Sequence, residues 1–152
     1  MLSRIVELIQ PLAIRADQLG SMDLFREHRW FELEQFASHL DEMRLPRGAR
    51  LTVQGRLEQR LWLIVEGEAL VSADARPIRV SGHGDAAGLP SMLYGTRSLE
   101  TTISLAPIRA FAAGPHQFQE LVSNPRLRQR LTAMAGDQLR VRNFAKGRGR
   151  NR

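Results

Sequence analysis

The feature that most limits what this chain can fold into is a change of rhythm in its middle. Between residues 44 and 114 the apolar residues come in short runs, at 51–53, 61–65, 69–71, 78–80, 101–105 and 108–112, with Gly, Pro or Asp in most of the gaps. Runs of that length are too short for helices and are the length of strands, so the spacing predicts a small antiparallel roll or barrel. No internal repeat divides it.

On either side the period is helical. Leu2, Ile5, Val6, Ile9 and Leu12 recur at helical spacing before Gly20, Asp23 is placed to cap a helix starting at Leu24, and Trp30, Leu33, Phe36, Ala37 and Leu40 define another apolar face ending near Met43. After Gly114-Pro115, Phe118, Leu121 and Val122 form one turn's face, and Asn124 with Pro125 supplies the cap and first position of a longer helix. Along it, Leu127, Leu131, Met134, Gln138 and Val141 step by four, three, four and three, the spacing of a seam. Two heptads do not stand alone, so the stripe packs either on the roll or on a second copy. The expected arrangement is a homodimer seam of Leu127, Leu131, Met134 and Val141. The organisation read from the sequence is therefore N-terminal helices over 1–43, a roll over 44–114 and C-terminal helices over 115–145. Residues 146–152, K-G-R-G-R-N-R, read as a disordered basic tail, because Gly and like charges deny it both a core and a regular helix.

A chain of 152 residues that is 43% hydrophobic suits one domain with a real core. It has no cysteine, which removes disulfides, thiolate metal sites and cysteine nucleophiles. Arg4, Glu7, Gln10 and Pro11 interrupt the apolar bias of the first residues, which fits neither a signal peptide nor a membrane span; the expected location is cytoplasmic, with no transmembrane segment. The net charge of +6 is unevenly spread: nine Lys or Arg stand between Arg126 and Arg152 against Asp137 alone, leaving the rest of the chain at −2. Such a tail is complementary to an anionic partner, whether nucleic acid, an acidic protein or a membrane surface, although a merely solvated end has the same composition.

Residues 82–102 read G-H-G-D-A-A-G-L-P-S-M-L-Y-G-T-R-S-L-E-T-T. Gly82, Gly84 and Gly88 permit tight bends, and Pro90 suits the first turn of a short helix over Ser91, Met92 and Leu93. Amides after Gly88, with Leu89, Ser91, Arg97, Ser98 and Thr101 close behind, make a candidate cradle for a small anion; a Gly-rich strand-to-helix turn is also ordinary architecture. Asp85 and Glu100 flank it without a visible acid-base partner and read as structural or solvated. His83 reads as an exposed turn residue that could touch a ligand. The four histidines, His28, His39, His83 and His116, are widely separated and form no metal-ligand pattern, and no nucleophile elbow or phosphate loop occurs. No catalytic residue, metal or cofactor is expected.

Several short motifs in order give a resemblance: Leu24-Phe25, Pro46-x-Gly48, Gln54-Gly55, Leu61-Trp62-Leu63-Ile64, Gly67-Glu68, Gly84-Asp85-x-x-Gly88 and Phe118 opening a helix. The span from Leu24 to about Leu139 resembles the cyclic-nucleotide-binding domain of the cyclic-AMP receptor and fumarate-nitrate regulator superfamily. The resemblance implies an α+β, mainly β fold: a double-stranded β-helix, or jelly roll, of about eight short strands, with N-terminal helices, a phosphate-binding cassette and a long C-terminal helix that often dimerises. It also implies that a Gly-Glu-Leu carboxylate holds a ribose hydroxyl and an Arg-Ser/Thr-Ala guanidinium holds a phosphate. Here the first motif reads Gly88-Leu89-Pro90 and the second Arg97-Ser98-Leu99-Glu100, with Arg97 one residue early. A phosphate without a well-aimed Arg loses about 1.5–3 kcal/mol, so tight binding of cyclic AMP or GMP is not expected. About thirty residues follow Phe118, too few for the winged helix-turn-helix of the family's transcription factors.

Together these readings point to a non-enzymatic regulatory or scaffolding module. It would sense an unidentified anionic small molecule through Gly88, Leu89, Ser91, Arg97, Ser98 and Thr101, or carry a degenerate nucleotide site. The alternative is an interaction protein that uses Arg140, Arg142, Lys146, Arg148, Arg150 and Arg152 to hold nucleic acid or an acidic partner, with the roll as a platform.

Overall fold

The computed structural model describes residues 11–150 of the chain, with side chains as far as residue 140. The expected helix through Leu2, Ile5, Val6 and Ile9 thus lies outside the described residues. The first described helix, α1, spans Leu12–Gly20; a single 3₁₀ turn at Asp23–Phe25 and helix α2, Trp30–Ser38, complete the N-terminal lobe.

The roll opens earlier than the apolar runs suggest. Helix α2 stops at Ser38, and strand β1 occupies Asp41–Leu45, where the helical reading ran on to residue 43. Met43 and Leu45, two residues apart, both pack into the roll, and that alternation belongs to a strand. Strands β2 (Arg50–Thr52), β3 (Leu61–Glu66), β4 (Ala69–Ala73), β5 (Arg76–Ser81) and β6 (Ala86–Ala87) follow. The short helix α3 (Leu89–Tyr94) interrupts them before β7 (Thr101–Ser104) and β8 (Ile108–Ala113). They form two four-stranded antiparallel sheets, ordered β1-β8-β3-β6 and β2-β7-β4-β5, which is the jelly-roll pattern. Helices α4 (Pro115–Val122) and α5 (Pro125–Arg150) close the chain.

Strand β3 reads as an unbroken apolar run because both of its faces are covered. Trp62 and Ile64 point into the roll with Leu51, Ile108 and Ala110, while Leu61, Leu63 and Val65 meet Phe25, Phe36, Phe118 and Leu127 of the helices. The hairpin between β4 and β5 turns on Asp74 and Ala75, at φ +52° and +61°, the conformation of a two-residue turn that matches strand twist. Gln54 clamps that turn: its Nε2 donates to Asp74 Oδ1 and its Oε1 accepts from the Asp74 amide, both at 2.8 Å.

Helix α5 corrects the expected end of the ordered chain, since it continues past residue 145 through residues 146–150. Extending an existing helix gains one hydrogen bond for each residue fixed, and Ala, Lys and Arg are good helix formers that offset Gly147 and Gly149.

Candidate functional site

The site starts from a row of residues that crosses the second sheet. Thr52 on β2 pairs with Thr102 on β7, Thr102 with Val71 on β4, and Val71 with Arg79 on β5. Paired positions share a face, and Thr52, Thr102 and Val71 are all buried, so register carries Arg79 on the inward side. Glu100 stands two residues before Thr102 and belongs to the same face. Its carboxylate accepts two hydrogen bonds from the Arg79 guanidinium, at 3.2 and 2.8 Å, with side-chain exposures of 25% for Arg79 and 16% for Glu100. The Glu100 backbone is fixed as well, because its carbonyl accepts from Thr52 Oγ1 at 3.1 Å and from Ser98 Oγ at 2.7 Å.

The segment from β6 to β7 forms one wall. Gly88, at φ +82°, makes the turn from β6 into α3, and a Cβ there would lie 2.5 Å from the Arg60 carbonyl oxygen, so glycine is required on both counts. The far side of the segment is zipped to the loop after β2: the Gly55 amide donates to Ser98 O at 2.8 Å and the Ser98 amide to Arg56 O at 2.6 Å. Helix α5 forms the roof. Gln138 Nε2 donates to Ala86 O at 3.0 Å, and Leu139 faces the cleft beside it. The cleft has a volume of about 380 Å³ and opens in part to solvent.

The residues expected at the site divide into two groups. Gly88, Ser91 and Ser98 border the cleft; Leu89, Arg97 and Thr101 do not. Leu89 is fully buried in the helix-facing core and anchors α3 there. Arg97 is exposed and donates to the Gly55 carbonyl at 3.0 Å, on the outer side of the segment. Strand alternation turns Thr101 away from Thr102, and its hydroxyl accepts from the Gln54 amide at 3.0 Å. Ser91 is occupied by architecture: its Oγ accepts from the Glu58 amide at 3.1 Å and donates to the Thr96 carbonyl. Sequence reasoning missed Arg79 and took Glu100 for a structural or solvated residue. No spacing rule joins two side chains 21 positions apart, and the only hint was a charge inside an otherwise apolar strand run. Asp85 does serve structure, accepting from the Gly82 amide at 2.8 Å. His83 is exposed, yet both ring nitrogens are engaged, Nδ1 with Val65 O at 2.8 Å and Nε2 with Ser21 Oγ at 3.1 Å.

The stripe on α5 faces inward. Leu127 is 0% and Leu131 1% exposed within the single chain, so neither presents a surface to a second copy, and Met134 packs partly buried beside them. The side chain of Val141 lies outside the described residues, as do those of Arg142, Lys146, Arg148 and Arg150 and the whole of Arg152. Arg140 is exposed and pairs with Asp137. Among the described residues, no three His, Asp or Glu side chains cluster closely enough to hold a metal ion, and no helix is long and apolar enough to cross a membrane.

No family model matches the sequence, and no curated protein matches it. Solved structures do. A cAMP-bound PfPKA-R superposes with a TM-score of 0.81 at 16% identity, over 89% of this chain and 47% of that one. The catabolite activator protein of Thermus thermophilus gives 0.72 at 20% identity, over 82% and 61%. A cAMP-binding acyltransferase from Mycobacterium smegmatis gives 0.64 at 24% identity, over 85% and 41%. This chain therefore spans about half the length of these structures. The likeness runs over 82–89% of this chain, and the chain has the cyclic-nucleotide-binding fold.

Proposed function

We propose that this chain is a non-enzymatic regulatory or scaffolding module whose cleft, between β5, β7 and α5, senses an anionic small molecule. The observation that carries the reading is the position of Arg79. It is a guanidinium on the inward face of the sheet, lining a cleft roofed by Gln138 and Leu139, so an anion held there meets the C-terminal helix directly. A ligand that touches both sheet and helix changes how firmly the helix is seated, which is how binding in such a module becomes a signal. The cAMP named with two of its structural likenesses is disfavoured as the ligand. Leu89, in the place of the ribose-binding carboxylate, is committed to the core, and Arg97 is turned outward.

The test is a thermal-shift screen of purified protein against cyclic mono- and dinucleotides, ppGpp and simple organic anions. One class of anion is expected to raise the melting temperature by several degrees. The shift should vanish in Arg79→Ala and survive in Arg97→Ala. A screen in which no anion moves the transition rejects the reading.

The charge of α5 supports a second contact. Its C-terminal half carries Arg140, Arg142, Lys146, Arg148 and Arg150, and we infer an acidic partner or nucleic acid for that end. Association with a single-stranded oligonucleotide should fall steeply as salt rises and be lost on truncation after Phe144. Binding that is indifferent to either change would reject it.

A further inference from the structure

We infer that Glu100 occupies the anion seat of the cleft, so that the protein holds its own carboxylate where a ligand would bind. This rests on the reading of the cleft as an anion site. Three observations lead to it. The Arg79–Glu100 contact is bidentate, with two guanidinium nitrogens on two carboxylate oxygens at 3.2 and 2.8 Å, the same geometry by which a guanidinium takes a carboxylate or phosphate from solution. The pair faces the cleft, which is lined by both residues, so the edge of the guanidinium that an oxyanion would take is already covered by the Glu100 carboxylate. Finally, Glu100 is held from behind by Thr52 and Ser98 on its carbonyl, so the side chain is delivered to Arg79 by a fixed backbone.

The consequence is competition. An external oxyanion that offers two oxygens to one guanidinium, a carboxylate or a phosphate ester, binds only by displacing Glu100, whose local concentration is set by the fold. Wild-type affinity for simple anions is accordingly weak, and selectivity falls to ligands that gain enough elsewhere in the cleft, at Gln138 or the Thr52–Thr102 floor, to push the carboxylate out. Removing the carboxylate should convert the cleft into an open anion site.

The experiment is isothermal titration of the full chain with inorganic phosphate and with 3′,5′-cyclic AMP, using wild type, Glu100→Gln, Glu100→Ala and Arg79→Ala/Glu100→Ala. Glu100→Gln keeps the size of the side chain and guards against a folding defect in Glu100→Ala. The expected result is at least tenfold tighter phosphate binding in both single variants than in wild type, with the gain abolished in the double variant. Equal, measurable affinity in wild type and Glu100→Gln would overturn the competition while leaving the cleft an anion site. A gain that persists without Arg79 would overturn the assignment of the seat. Absence of binding in every variant would reject both the seat and the sensing function on which it rests.

Discussion

Leu131 shows how one side chain can be legible in sequence while its role is not. Its spacing from Leu127 and Met134 marks it as apolar-facing, but a core stripe and a seam between copies share the same period. The fold decides, because Leu131 packs with Leu127, Phe36 and Phe118 inside one chain. Leu131→Ala is expected to lower the unfolding free energy by about 2–5 kcal/mol, with a urea midpoint independent of protein concentration. A midpoint that rises with concentration would show that the stripe works between copies. Arg97 and Arg79 make the complementary case. The first stands in the motif and points away from the cleft; the second has no motif and lines it. Motif spacing gives chain position, whereas the side a residue faces depends on strand register, which sequence leaves unstated.

Where α2 meets α5, Glu32 and Asn124 join the elements. The Glu32 carboxylate accepts from the Arg29 amide at 3.2 Å, from His28 Nδ1 at 3.2 Å and from Asn124 Nδ2 at 3.1 Å, and Asn124 Oδ1 in turn accepts from the Leu127 amide at 3.0 Å. The Asn124 cap was readable from Asn-Pro before an apolar stripe; its second bond, to a residue 92 positions away, was not. The Arg29 backbone amide, then the hydrogen bonds of His28 and Asn124, hold the Glu32 carboxyl below its ordinary range. With the folded pKa below the unfolded one, the folded state takes up a proton less readily, so Glu32 contributes stability above the usual carboxylate range that is lost as pH falls through its folded pKa. Glu32→Gln should therefore destabilise the protein at pH 7 and flatten the acid limb of its stability profile below about pH 4. Urea unfolding at pH 7 and pH 3.5 checks this, and an equal loss at both would remove Glu32 from the acid response.

Across the whole molecule, α5 joins parts that the roll alone would leave separate. Near its start Arg126 donates to the Glu27 carbonyl at 2.8 Å and Arg130 to the Glu27 carboxylate at 3.0 Å, holding a residue whose φ of +68° is unusual outside glycine. Farther along, Gln138 reaches Ala86. Layered architecture of this kind was legible, since the shift from helical to strand rhythm and the return to helix follow from burial; that the run at β3 is covered on both faces emerges only from the packing. The site was less so, because it is assembled from β2, β5, β7 and α5, and its charged pair meets only once the sheet is built. The two-residue turn at Asp74 and Ala75 has a bearing on that pair. The ladder that starts from that turn slips by one residue between Ser72–Pro77 and Val71–Arg79, so the extra residue, Ile78, is what sets Arg79 opposite Val71; in an unbroken ladder Arg79 would oppose Leu70 and face the other side of the sheet. The electrical polarity of the pocket is thus written into one extra residue of a hairpin, and a lineage could silence or restore the pocket through that bulge without altering one residue that lines it.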